Sequence, residues 1–150
     1  MRWIGFILLL ASISSCTTYS DNDLESFDQK IQKYIDSTGL DMEKTENGLY
    51  YSILEEGEGE EFIKYKDQVT FHYKGSFLTG NTFQVIDEND PLSFKVNQLI
   101  IGWQDGLMML KKGGRIHLII PPQLGYADKS SDVIPTNTIL EYKLTVLDVQ

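Results

Sequence analysis

Cysteine is all but missing from this sequence. Cys16 is the one instance among 150 residues, so no disulfide can form within the chain and no thiol pair can do redox chemistry. Histidine is almost as scarce. His72 and His117 are the two, neither has a companion at metal-ligand spacing, and both sit in strand patterns on what reads as the polar face. The sequence therefore predicts no metal and no cofactor. Positive charge is also short, with 13 Lys and Arg against 22 Asp and Glu and a net charge of −9. That balance argues against nucleic-acid binding, which needs a basic face. No G-x-S-x-G and no phosphate-cradling glycine loop occurs, and Gly57-Glu58-Gly59-Glu60 would repel a phosphate. The acidic side chains fall mostly in turns, which gives little support to paired-carboxylate hydrolysis.

Long apolar runs are absent as well. Trp3 to Ile13 is apolar after the positive Met1-Arg2, but a spanning helix needs about 20 such residues, and this stretch has the length of a signal-peptide core. Ile13-Ser14-Ser15-Cys16 resembles the lipobox of bacterial lipoproteins. The resemblance implies that residues 1–15 are removed and that Cys16 is acylated. Several acyl chains then anchor the chain to a bacterial membrane, the outer one by the lack of an acidic residue at Thr17. An ordinary cleaved signal with an incidental cysteine is the alternative.

The remainder divides at about Asn47. Residues 16–46 read as a tether carrying one amphipathic helix over Leu24 to Asp36, because Leu24, Phe27, Ile31, Tyr34 and Ile35 recur at helical spacing. Residues 41–47 read as polar linker. From 47 to 150 the chain alternates apolar and polar residues in short pieces. Gln68 to Phe77 puts Val69, Phe71 and Tyr73 on one face, Arg115 to Ile120 puts Ile116, Leu118 and Ile120 there, and Ile139 to Val149 does so with Leu140, Tyr142, Leu144 and Val146. Shorter strands are expected over Leu49 to Leu54, Thr82 to Ile86 and Leu92 to Val96. Between them, Gln98 to Lys111 has Ile100, Trp103, Leu107 and Leu110 on one helical face, with Asn97 as the expected N-cap and Gly113-Gly114 as the expected stop. Two internal glycines make this a poor helix by itself, so a sheet is predicted to pack on it. The expected fold class is α+β, an antiparallel sheet with one short helix across one face.

The chemistry-bearing residues that remain are aromatic. His-Tyr-Lys-Gly at 72–75, Thr-Gly-Asn-Thr-Phe at 79–83, Gln-Leu-Ile-Ile-Gly-Trp at 98–103, Ile-Pro-Pro-Gln-Leu-Gly-Tyr at 120–126 and Val-Ile-Pro-Thr at 133–136 occur in that order. This set resembles the FKBP family of peptidyl-prolyl cis–trans isomerases over roughly Gly48 to Gln150. The resemblance implies a bent sheet wrapped around one short helix and an apolar pocket that takes proline-containing polypeptides. By the same resemblance Tyr73, Phe83, Trp103 and Tyr126 carry catalysis, with Trp103 as the pocket floor. Gln84, Phe94, Leu99, Ile100, Ile134 and Tyr142 contact the substrate, with the Ile100 backbone N–H donating to a substrate carbonyl. One departure matters, since the family's Phe-Asp is here Phe83-Gln84, which removes a carboxylate from the pocket. The function implied is isomerisation of Xaa-Pro bonds in the cell envelope. The alternatives are a weakly active binding module or a part of an envelope complex with a further protein partner.

Overall fold

A computed structural model describes residues 19–150. Residues 1–18, with Cys16 and the lipobox, lie outside the described residues. Among the latter, no helix is long and apolar enough to cross a membrane.

Helix α1 spans Asp21–Thr38. It begins three residues before the apolar periodicity does, because Ser20 and Asp23 cap its first turn reciprocally. The Ser20 side chain accepts from the Asp23 N–H at 3.2 Å and the Asp23 carboxylate accepts from the Ser20 N–H at 3.1 Å. Gly39 closes the helix at φ 66°, a left-handed position that glycine adopts without strain.

Seven strands form one antiparallel sheet: β1 (Glu43–Lys44), β2 (Tyr50–Glu55), β3 (Gln68–Phe77), β4 (Thr82–Ile86), β5 (Leu92–Lys95), β6 (Arg115–Ile120) and β7 (Leu140–Val149). Their order is β1-β2-β6-β7-β3-β4, with β5 also paired to β3. The expected linker at 41–47 thus contains a strand. Its two residues pair with Tyr50 and Tyr51 through the backbone, which a polar side-chain pattern does not reveal. Opposite β3, the register passes from Asp148 to Val146, so Leu147 is an extra residue that bends β7.

Helix α2 spans Ile101–Leu107, shorter at both ends than the predicted 98–111. Val96–Gln98 makes a separate 3-10 turn, and Leu99 and Ile100 are extended. Asn97 is therefore not the N-cap. Ile100 is, without a side-chain cap, and Gln104 Nε2 ties the entry down by donating to the Leu99 carbonyl at 2.7 Å. The helix ends at Leu107 rather than at Gly113-Gly114. Beyond it the backbone turns away to the acidic loop, where the Lys111 N–H donates to the Glu56 carbonyl at 2.7 Å.

The two glycines of α2 are explained by its approach to the sheet. A Cβ on Gly102 would lie 2.6 Å from Ile120 and one on Gly106 would lie 2.8 Å from Leu118. Each glycine costs about 1 kcal/mol of helix propensity. Burying Trp103 and Leu107 completely on that sheet stabilises by roughly 1.5–3 kcal/mol apiece. Packing outweighs propensity, and the helix exists because the sheet is there.

The inner face of the sheet, carrying Val69, Phe71, Tyr73, Ile116, Leu118, Leu140, Tyr142 and Leu144, encloses α2 in the main core. The outer face is covered as well. Helix α1 seals Phe27 and Ile31 against Tyr50, Ile119 and Ile139 in a second core. The apolar stripe of α1 packs on the sheet of its own domain. The second core also changes the place of His117. Expected on a polar face, it is buried beneath α1, with its Nε2 2.7 Å from the Glu141 carboxylate, whose other oxygen accepts from the Tyr34 hydroxyl at 3.1 Å. Burial alone would raise the Glu141 carboxyl, but His117, Tyr34 and Lys143 together hold it below its usual value.

Candidate active site

Three strands and α2 bring aromatic rings together on the inner face. Strand β3 alternates Phe71 and Tyr73 inward, β7 brings Tyr142, and α2 sets Trp103 between them. Trp103 meets Phe71, Tyr73 and Tyr142 edge-on, with ring centres at 5.1, 4.8 and 5.0 Å. Tyr142 stands perpendicular to Phe83 of β4 at 5.8 Å, and Phe83 packs on Phe77 at 4.9 Å. Gly75 makes the closest part of this possible, because a Cβ there would lie 2.7 Å from the Phe83 ring and 2.9 Å from the Tyr142 ring. The indole Nε1 of Trp103 is buried without an acceptor among the described residues.

Beside these rings lies a hollow of about 290 Å³. Phe83, Gln84, Tyr126 and Ile134 line it. Lys129, Ser130, Ser131 and Val133, from the loop between Tyr126 and Ile134, complete the wall. Tyr126 is 41% exposed at its mouth. The Tyr73 hydroxyl donates to Gln84 Oε1 at 2.7 Å, so the amide keeps a brace on the tyrosine although it carries no charge. Burial, helped by the nearby Tyr126, pushes the Tyr73 phenol up to about 12. Burial and the same neighbours drive Tyr142 higher still. Both phenols therefore stay protonated as hydrogen-bond donors at any ordinary pH and cannot act as bases.

The predicted site residues are not all equally placed. Phe83, Gln84, Tyr126 and Ile134 face the hollow directly, while Tyr73, Trp103 and Tyr142 form the ring cluster behind it. Leu99 and Ile100 are half-buried at the entry to α2, packed on the core, and the Ile100 N–H has no acceptor among the described residues. Phe94 lies to one side, 43% exposed, with its ring 6.5 Å from Phe71. Lys129, Ser130, Ser131 and Val133 were not anticipated. They occupy an irregular loop with no periodicity, and only their position between two site residues could have pointed to them.

The lining of the hollow holds no histidine, cysteine or carboxylate to activate its serines, and no metal-binding cluster occurs among the described residues. The hollow can bind an apolar group, exclude water from it and donate hydrogen bonds at its rim. Those are the properties of a non-covalent site for an apolar group.

The profile of the FKBP-type peptidyl-prolyl cis-trans isomerases matches residues 59–147, and the chain belongs to that family. It is 40% identical over 121 residues to the FKBP-type peptidyl-prolyl cis-trans isomerase FkpA of Buchnera aphidicola subsp. Schizaphis graminum, covering 80% of this chain and 47% of that protein. It is 36% identical over 132 residues to FkpA of Escherichia coli K12, covering 87% and 47%. The crystal structure of FkpA from Escherichia coli superimposes with a TM-score of 0.74 at 34% identity, covering 86% of this chain and 62% of that one. The chain thus spans about half the length of the curated relatives it matches.

Proposed function

We propose that this chain catalyses cis–trans isomerisation of Xaa-Pro bonds in polypeptides of the bacterial cell envelope, held at a membrane by lipid on Cys16. The observation that carries the catalytic part is the ring cluster of Tyr73, Trp103 and Tyr142 opening beside the hollow of Phe83, Tyr126 and Ile134. Rotation about a prolyl amide crosses a barrier of about 18–20 kcal/mol, set by amide resonance. In the twisted transition state the amide loses that resonance and part of the negative charge on its oxygen. An apolar, water-poor pocket therefore tolerates the twisted amide better than the planar one. A gain of about ten-thousand-fold needs only about 5–6 kcal/mol of such preference, which shape, desolvation and one or two hydrogen bonds can supply.

Within this reading the proline ring rests against Trp103, with Phe83, Ile134 and Tyr142 around it. The Tyr126 hydroxyl and the Ile100 N–H donate to the substrate backbone. Leu99 and Phe94 extend the apolar surface along the bound chain. Tyr73 orients Gln84 and is oriented by it. The envelope location is supported by the signal-like run before Cys16.

The neutral Gln84 favours a second reading, in which the same pocket holds proline segments with little turnover. Isomerisation of a neutral Xaa-Pro tetrapeptide by wild type and by Gln84→Asp separates the two. Under the catalytic reading wild type accelerates the reaction and the aspartate variant gains no more than about tenfold. Activity confined to Gln84→Asp would favour the binding module.

A further inference from the structure

A second hollow, of about 660 Å³, lies between α1 and the turn that follows β3. Phe27, Phe77, Leu78 and Ile139 make its apolar floor, and Lys30 and Lys33 stand on its helical rim. No acidic side chain lines it, although the chain as a whole carries a charge of −9. Four of the nine other lysines are held in ion pairs: Lys44 by Asp28, Lys64 by Glu61, Lys111 by Glu56 and Lys112 by Asp148. Lys30 and Lys33 form none among the described residues. The nearest feature to Lys30 Nζ that engages it is the Phe27 ring, 5.8 Å away on the groove floor.

The groove also adjoins the proline site. Ile134 lines the smaller hollow and its neighbour Pro135 lines this one. Phe83 faces the smaller hollow and Phe77, whose tilted ring lies 4.9 Å from it, faces this one. One loop and one ring pair are thus the partition between the two. A polypeptide leaving the proline site over that partition arrives on apolar floor under two unpaired cations.

We infer that the α1 groove is a second docking site for client polypeptide, taking a segment of apolar and acidic residues that flanks the proline held in the ring pocket. The inference rests on the proposed polypeptide-binding function and names the class of client it favours. The apolar floor supplies burial and the lysines supply choice of sign, since long-range charge complementarity selects partners more than it adds affinity. Binding to this groove lengthens the stay of an unfolded acidic client while the proline turns over next door. A tetrapeptide fills only the smaller hollow and does not sense the lysines.

The test uses three substrates with the full chain. Two are fluorescent fifteen-residue peptides, each with one central Xaa-Pro and flanking Leu and Phe, one carrying Glu and the other Lys at the same flanking positions. The third is a neutral Xaa-Pro tetrapeptide. Wild type is expected to bind the Glu peptide about tenfold more tightly than the Lys peptide at low salt, and Lys30→Glu with Lys33→Glu to abolish or reverse that preference. Tetrapeptide isomerisation is expected to be the same in both proteins. Equal binding of the two long peptides, or a preference that survives the double substitution, would overturn the inference. So would sedimentation showing a wild-type dimer that the double substitution dissociates, which would give the groove to a second copy. Failure of both proteins to isomerise the tetrapeptide, with the charge preference intact, would count against the catalytic reading and leave the groove standing.

Discussion

The Tyr73 hydroxyl donates to Gln84 Oε1 across 2.7 Å, joining β3 to the edge strand β4 at the wall of the ring pocket. A carboxylate there would make the stronger, charge-assisted bond. The amide keeps the geometry without the charge. Tyr73→Phe removes the donor and leaves the rings packed. It is expected to lower stability by about 1 kcal/mol, the typical worth of one such bond, and to lower isomerisation several-fold by freeing Gln84. Denaturant midpoints and peptide kinetics on the same sample check both. A variant equal to wild type in both would show that the bond orients nothing.

The fit of α2 against β6 sets two effects of opposite sign against each other. Gly102→Ala improves helix propensity by about 1 kcal/mol. It also places a methyl group 2.6 Å from Cγ2 of Ile120, a β-branched side chain with no exposed surface and nowhere to move. Overpacking of that kind costs about 1–3 kcal/mol. The expected result is net destabilisation, read as a lower denaturant midpoint at unchanged slope. A more stable variant would show that Ile120 has room to yield.

Acid is expected to loosen α1 through Glu141. Its folded carboxyl titrates below the ordinary 4.5 because His117, Tyr34 and Lys143 face it. As pH falls, the unfolded chain takes up that proton first. The stabilisation is therefore complete above about 4.5 and is lost as pH falls through the lower, folded value. Asp28, held down by Lys44 and Tyr50 against its own burial, acts in the same sense. Glu141→Gln should be less stable than wild type at neutral pH and show a shallower loss as pH falls below about 4.5. Parallel curves for the two proteins would remove Glu141 from the acid response.

The elements that were legible in the sequence are those whose partners are written into alternation. β3, β4 and β6 have the bounds predicted for them; β3 has its inward residues at every second position, whereas β6 is buried on both faces, which its alternation did not foretell. The ends of helices were less legible. Ser20 and Asp23 look like tether until their side chains close a capping box, and the stop of α2 is set by backbone pairing to the acidic loop. The burial of His117 could not be read locally, since it depends on α1 folding back over β6, far downstream in the chain. Alternation also placed Tyr73 and Tyr142 on the inner face. Their joining with Trp103 and Phe83 into one site came from resemblance, because spacing alone cannot tell a pocket ring from a core ring. Lys129 and the serines after it emerged only from the loop's course in three dimensions.

In the proposed reaction the ring pocket lowers the barrier to prolyl rotation, and Trp103 is the residue on which that effect rests. The most direct measurement is protease-coupled isomerisation of a neutral Xaa-Pro tetrapeptide by wild type and by Trp103→Leu, with circular dichroism confirming that the variant remains folded. Wild type is expected to raise the rate well above the spontaneous one, and the folded variant to lose about tenfold or more of that gain. A wild type that leaves the spontaneous rate unchanged, or a folded Trp103→Leu as fast as wild type, would contradict the proposed reaction.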